Sequence, residues 1–203
     1  MKSIYPILTT ILGYLLGSFP VGYLVGKLYG VDVRQHGSGR TGGTNVWRAT
    51  GQLWPPLLTV LGDIAKGVLA VWLGRRLAGS ELAAALAGAA AVFGHNWSLF
   101  LGFKGGAGGM TAGACLVMLN WLAGAITVPL AILALYLSRY ASVGTLTVGV
   151  GGLLVLLSLR LATPGFPTVH VLYGLLAAAG IIWALRPNIR RLLRGTERRI
   201  TLW

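Results

Sequence analysis

The chain has 203 residues, 55% of them hydrophobic and only 10% charged, where a soluble domain carries about 25% charged residues. That composition excludes a soluble globular enzyme and fits a single integral membrane domain over residues 1–203. The net charge of +13 is read as topological bias and attraction to anionic membrane lipid, not as a nucleic-acid interface, because no soluble basic domain is apparent.

The first apolar run covers about 4–29, behind Lys2. No small-x-small cleavage site follows it, so it reads as a retained first helix and not as a signal peptide. Next comes Gly37-Ser38-Gly39-Arg40-Thr41-Gly42-Gly43-Thr44-Asn45, followed by Arg48. Irregular backbone is not tolerated against lipid. Glycines let a backbone approach an anion closely, and successive N–H groups can form a nest. With Arg40 and Arg48 alongside, the natural guest is a phosphate. The second run, 54–74, holds Asp63 and Lys66. Charges three apart inside hydrocarbon read as a structural ion pair or as part of a proton path.

The third run, 82–101, contains Gly94-His95-Asn96 and ends in a second glycine stretch, Gly102-Phe103-Lys104-Gly105-Gly106-Ala107-Gly108-Gly109. The segment 109–138 exceeds the roughly 20 residues needed to cross a bilayer. Asn120-Trp121 in its middle suggests an interfacial turn, dividing it into a short helix (109–119) and a second one (122–138). Runs at 141–160 and 168–185 follow, then a basic tail with Asn188, Arg191, Arg194 and Glu197.

Counting Lys and Arg chooses between six and seven spans. With seven, one side holds Lys27, Arg34, Arg40, Arg48, Lys104, Arg139, Arg186, Arg190, Arg191, Arg194, Arg198 and Arg199, and the other only Lys2, Arg75, Arg76 and Arg160. With six, Arg139 and the tail change sides and both glycine stretches land on the less basic face. The positive-inside rule therefore favours seven helices, the fourth short, with the N-terminus outside and the C-terminus in the cytoplasm. Three polar segments then share the cytoplasmic face.

Familiar catalytic arrangements are missing. Soluble-type acyltransferases pair a His with an Asp five positions on, but His36, His95 and His170 meet Thr41, Phe100 and Leu175 at that spacing. There is no phosphate-binding G-x-x-x-x-G-K-[ST] and no cluster of metal-ligating residues, and Cys115 is the single cysteine. No metal or cofactor is expected.

Taken together, the motifs resemble the bacterial acyl-phosphate:glycerol-3-phosphate acyltransferases of the PlsY type. Leu16-Gly17-Ser18-Phe19-Pro20-Val21-Gly22 looks like the family's L-G-S-x-P-x-G start. Gly37 to Arg48 resembles its first motif, G-S-G-N-x-G-x-T-N-x-x-R. Asp63-Ile64-Ala65-Lys66-Gly67 matches D-x-x-K-G, Gly94-His95 through Gly106 resembles the second motif, and Asn188 to Glu197 matches N-I-x-R-L-x-x-G-x-E. The resemblance implies seven helices in the bacterial inner membrane, an external N-terminus and a site facing the cytoplasm. It also implies transfer of a fatty acyl group from acyl phosphate to glycerol 3-phosphate, giving lysophosphatidate and phosphate, without metal or cofactor. Ser38, Arg48 and Asn188 would be the catalytic residues. Gly37, Gly39, Arg40, Thr44, Asn45, His95, Lys104, Gly105, Gly106, Gly108, Arg191 and Glu197 would line the substrates. The partners are those two substrates and membrane lipid, with the oligomeric state open.

Three positions depart from the pattern. The second motif usually carries a catalytic lysine where this chain has Ala107, the first an Asn where it has Arg40, and the tail a His where it has Leu185. One reading is that Arg40 and Lys104 restore the positive charge. The alternative is a paralogue of altered or lost catalysis that binds or moves a phosphate ester.

Overall fold

The computed structural model describes residues 4–201; Lys2, counted above on the external side, lies outside them. Among the described residues the secondary structure is helical throughout. The helices are α1 (Tyr5–Ser18), α2 (Val21–Leu28), α3 (Gly43–Thr50), α4 (Trp54–Ala78), α5 (Glu81–Asn96), α6 (Gly109–Leu119), α7 (Trp121–Ser138), α8 (Ala141–Leu146), α9 (Gly152–Ala162) and α10 (Thr168–Leu193). A wider π turn, Thr147–Gly151, joins α8 to α9 without interrupting the rod. Six segments are long and apolar enough to cross a membrane, 5–28, 54–78, 81–101, 121–138, 141–162 and 168–193, and α6 is shorter.

Local chemistry sets the breaks. The expected first run is split at Phe19-Pro20, since proline lacks an N–H and excludes the preceding residue from helical geometry. Phe19 is extended in ψ at 118°. Asn120 ends α6 and caps α7, its side chain accepting the Ala123 N–H at 2.9 Å. There the chain reverses: a Cβ on Gly124 would meet Val117 and one on Gly113 would meet Val128, so α6 and α7 form an antiparallel hairpin. The last helix continues to Leu193, well past the expected end at 185.

Small residues hold the bundle together, as expected where lipid removes most of the hydrophobic drive between helices. A Cβ at Gly13 would lie 2.3 Å from the Ala87 carbonyl oxygen, and one at Gly17 would lie 2.1 Å from that of Ala91. α1 thus rests directly on the backbone of α5. Behind this seam lies a core of Val71, Cys115, Leu116, Leu156 and Tyr173, with the buried Tyr173 hydroxyl donating to the Ala112 carbonyl at 2.7 Å. At one end Arg75 grips Glu81 (2.6 Å) and His170 Nε2 sits 3.2 Å from the same carboxylate. The other end gathers the two glycine stretches and the tail.

Candidate active site

Asp63 and Lys66 do pair inside the bundle, at 2.8 Å. His95 joins them, with Nδ1 3.3 Å from Asp63 and 2.7 Å from Lys66 Nζ, and the Lys66 ammonium also lies 3.4 Å from the Phe19 carbonyl, in the break Pro20 creates. This trio ties α4, α5 and the α1–α2 break together. Removing one member of a buried charge set costs about 3–5 kcal/mol, so the trio helps to hold these elements together. His95 therefore spends Nδ1 on Asp63 and Lys66 and does not offer it to a substrate.

The second glycine stretch is packed as a cover over that histidine. A Cβ on Gly106 would fall 2.0 Å from His95 Nε2 and one on Gly105 2.1 Å from the His95 carbonyl oxygen, and the Gly106 N–H donates to that same oxygen at 2.9 Å. These glycines serve close approach to α5. Gly108 adopts a left-handed conformation (φ 74°) at the start of α6, against the Asn96 side chain. Lys104 is exposed. Ala107 packs against the apolar cluster of Val92, Ala112, Ile181 and Leu185, so the two positions that depart from the family pattern toward apolar residues adjoin one cluster.

The first glycine stretch is organised by Asn45, 3% exposed. Its side-chain oxygen accepts the Ser38 N–H at 2.8 Å, and its amide donates to the carbonyls of Val33 and Arg40, each at 2.8 Å. Gly37 is required beneath it, being left-handed (φ 53°) with its virtual Cβ 2.3 Å from Asn45 Oδ1. Asn45 thus positions the loop, with all its polar capacity directed into the backbone. Gly39 is also left-handed at φ 71°. Ser38 keeps its hydroxyl near the Arg40 N–H (3.4 Å), and Thr44 lies in the first turn of α3. On the outer flank Asp32 caps the turn Val33–Gln35 and holds Arg34 at 2.7 Å; the Arg34 fork keeps that carboxyl below its ordinary range.

Arg40 crosses from the loop to α10, donating through Nη2 to the Ala184 carbonyl. Its Nη1 is buried and has no hydrogen-bond partner among the described residues. Burial, with Arg191 nearby, lowers its proton affinity, although a guanidinium keeps its charge.

Arg48 sits in the last turn of α3 and turns toward the tail, with Nη2 3.4 Å from the Arg198 carbonyl and 3.3 Å from that of Arg199. The tail is a strap. Gly195 (φ 68°) turns the chain back after α10. Glu197 then accepts from Asn188 Nδ2 at 2.7 Å and from Arg191 Nε at 2.8 Å. Ile200 is buried, and its N–H donates to the Arg139 carbonyl at 2.8 Å. Glu197 and Arg191 thus satisfy each other. The bond to Glu197 fixes the Asn188 amide so that its Oδ1 is buried and, among the described residues, unpartnered. The strap's backbone contacts are the part of this end that the sequence did not reveal, since carbonyls carry no residue-type signal.

The polar end therefore combines an unpaired buried cation nitrogen, an unpaired buried amide oxygen, a serine hydroxyl and a second arginine. Residues 7–195 match the family model described as glycerol-3-phosphate acyltransferase. The chain belongs to this family. Within the glycerol-3-phosphate acyltransferases it is 42% identical over 204 residues to one from Desulforudis audaxviator, covering 99% of this chain and 98% of that protein. It is 45% identical over 202 residues to glycerol-3-phosphate acyltransferase 2 of Moorella thermoacetica, covering 96% and 97%. The crystal structure of PlsY in its glycerol 3-phosphate form, described as an integral membrane glycerol 3-phosphate acyltransferase, superposes with a TM-score of 0.85 at 31% identity, over 97% of this chain and 96% of that one. The chain is thus a multi-pass membrane member of the family.

Proposed function

We propose that this protein transfers a fatty acyl group from acyl phosphate to a hydroxyl of glycerol 3-phosphate, releasing lysophosphatidate and inorganic phosphate. The observation that carries the reading is the pair of buried, unpartnered atoms at the polar end, Arg40 Nη1 and Asn188 Oδ1. Buried polar groups are nearly always paired, so this donor and this acceptor are matched to a ligand offering both an anionic oxygen and a hydroxyl. Glycerol 3-phosphate offers both.

An acyl phosphate is already an activated mixed anhydride, so the protein has mainly to position substrates and stabilise charge. The acceptor hydroxyl attacks the acyl carbon, a new C–O bond forms, the bond from that carbon to the phosphate oxygen breaks, and the departing phosphate takes the hydroxyl proton. Arg48 and Arg40 hold phosphate oxygens, Ser38 and Asn188 orient the acceptor, and Asn45, Glu197 and Arg191 keep those groups in place. Arg40 takes over charge that the family usually draws from a lysine at position 107.

The same reading places the whole chain, as one domain, in the bacterial inner membrane with seven crossings, the N-terminus outside and the site facing the cytoplasm. The α6–α7 hairpin supports the seventh crossing, and the distribution of Lys and Arg supports the orientation. Eleven residues of α6 give about 16 Å of helix, short of the hydrocarbon thickness, which is tolerable for a helix enclosed by others. The test is phosphate release from palmitoyl phosphate by the protein reconstituted in nanodiscs. Release should require glycerol 3-phosphate. Equal release with water alone as acceptor would reject glycerol 3-phosphate as the substrate.

A further inference from the structure

A second polar feature lies on the lipid side of α10, outside the groups assigned above. An open cleft of about 400 Å³ is lined by Trp97, Trp183, Ala184, Arg186, Pro187 and Arg190. Its construction starts from Pro187. Lacking an N–H, this proline leaves the Trp183 carbonyl without its usual helical donor. Arg186 fills that role, its Nε donating to the Trp183 carbonyl at 3.2 Å while its guanidinium lies over the Trp183 ring, 3.4 Å from the ring centroid. The arginine is thereby held flat along the cleft, where an anchoring arginine would extend into water. Arg190, one turn on, is exposed and its side chain makes no hydrogen bond or ion pair among the described residues.

The opposite wall is firm. The Trp97 ring lies 5.4 Å from Phe93, and the Trp97 carbonyl accepts the Tyr14 hydroxyl at 2.8 Å. The outward neighbours Ile182 and Trp183 are exposed. The inner edge is Ala184, whose carbonyl holds Arg40. Two cations and two indoles at the end of a membrane helix meet a ligand that is anionic at one end and apolar at the other. Indoles favour that boundary, and arginine pairs with phosphate through a planar fork.

We infer that this cleft binds the phosphate head of an anionic amphiphile whose hydrocarbon chain lies in the bilayer. Two sources share that chemistry, namely a single-chain phosphate ester or anhydride such as an acyl phosphate, and an anionic phospholipid of the surrounding membrane. The inference rests on the cleft alone and stands whether or not the chain catalyses acyl transfer.

The test is equilibrium binding. Hexadecyl phosphate, which carries a phosphate head and a chain but no reactive anhydride, is titrated calorimetrically into the protein in phosphatidylcholine nanodiscs. Phosphatidylglycerol retained by protein released from mixed nanodiscs is counted by native mass spectrometry. Arg186→Ala with Arg190→Ala, and the milder Arg190→Gln on an exposed side chain, are compared with the native chain. The double variant should weaken hexadecyl phosphate binding about tenfold or more, the scale of a lost charge-assisted hydrogen bond, if single-chain phosphates occupy the cleft. If membrane lipid occupies it, the titration is the same in the double variant as in the native chain, while retained phosphatidylglycerol is lost in the double variant and reduced in Arg190→Gln. Unchanged titration together with unchanged lipid retention overturns the inference. So does a titration abolished by Arg48→Ala but intact in the double variant when phosphatidylglycerol retention is also unchanged, because that places the amphiphile solely among the acyl-transfer residues.

Discussion

Ala107 and Leu185 adjoin one apolar cluster, so restoring the family's usual polar residues one at a time should fail. Ala107→Lys alone puts an ammonium beside Val92, Ile181 and Leu185, which are 0%, 0% and 2% exposed. A fully buried lysine shifts its pKa by about 3–5 units, and at about 1.4 kcal/mol per unit that is about 4–7 kcal/mol. Ala107 is only partly buried, and a lysine can snorkel toward water, so about 2 kcal/mol is the expected cost. That corresponds to roughly 4–8 °C in melting temperature for a chain of this size. Leu185→His opens the wall and supplies a polar neighbour, so the double variant should be more stable than the sum of the two single effects by about 1 kcal/mol. Arg40→Asn should cost about 10- to 100-fold in kcat/KM through its lost charged hydrogen bond. Recovery should require Ala107→Lys and Leu185→His together. Thermal unfolding in detergent and phosphate-release kinetics measure both effects. Single and double effects that add to within about 0.5 kcal/mol, or an Arg40→Asn protein with unchanged KM for glycerol 3-phosphate and unchanged turnover, would refute the coupling and the role of Arg40 respectively.

Glu197→Gln should loosen the strap without touching substrate, lowering kcat while thermal stability falls by no more than about 1–2 kcal/mol; equal kinetics in the variant would make the strap a passive tail. Ser38→Ala should slow turnover, yet mass spectrometry of enzyme quenched during turnover should find no acyl group on Ser38 in the native chain, since no base is paired with it; an acyl adduct there would replace direct transfer with a covalent route. A cysteine at Thr196 should react with a membrane-impermeant reagent only after the inner membrane is opened, with buried Cys115 silent. Labelling from outside intact spheroplasts would place the tail externally and remove the seven-crossing topology.

The multi-pass helical architecture was legible because lipid imposes simple rules of length and apolarity. Asn120 announced both the end of α6 and the cap of α7. The break at Pro20 carries a proline signal, but the apolar run continues on both sides of it and masks the break. Extension of α10 to Leu193 was hidden by the loss of apolarity after 185, although a helix can leave the membrane without ending. At the site, residue types marked the segments that gather at one end of the bundle, but not the contacts those segments make with one another. Asn45 holds the first loop through three hydrogen bonds and the Gly105-Gly106 pair packs closely on His95, contacts that residue type alone does not announce. His95 looked free until Asp63 and Lys66, distant in sequence, were brought beside it. The reach of Arg40 to Ala184 spans 144 positions, and nothing local could foretell it.

The most direct measurement is the product itself. Protein in nanodiscs, supplied with palmitoyl phosphate and isotopically labelled glycerol 3-phosphate, should form labelled lysophosphatidate in step with released phosphate. Arg48→Ala should reduce kcat/KM for that product by at least about 10- to 100-fold, the scale of one charged hydrogen bond to phosphate. Absence of labelled lysophosphatidate from the native chain, with glycerol 3-phosphate still bound, would contradict acyl transfer and leave a protein that only holds or carries a phosphate ester.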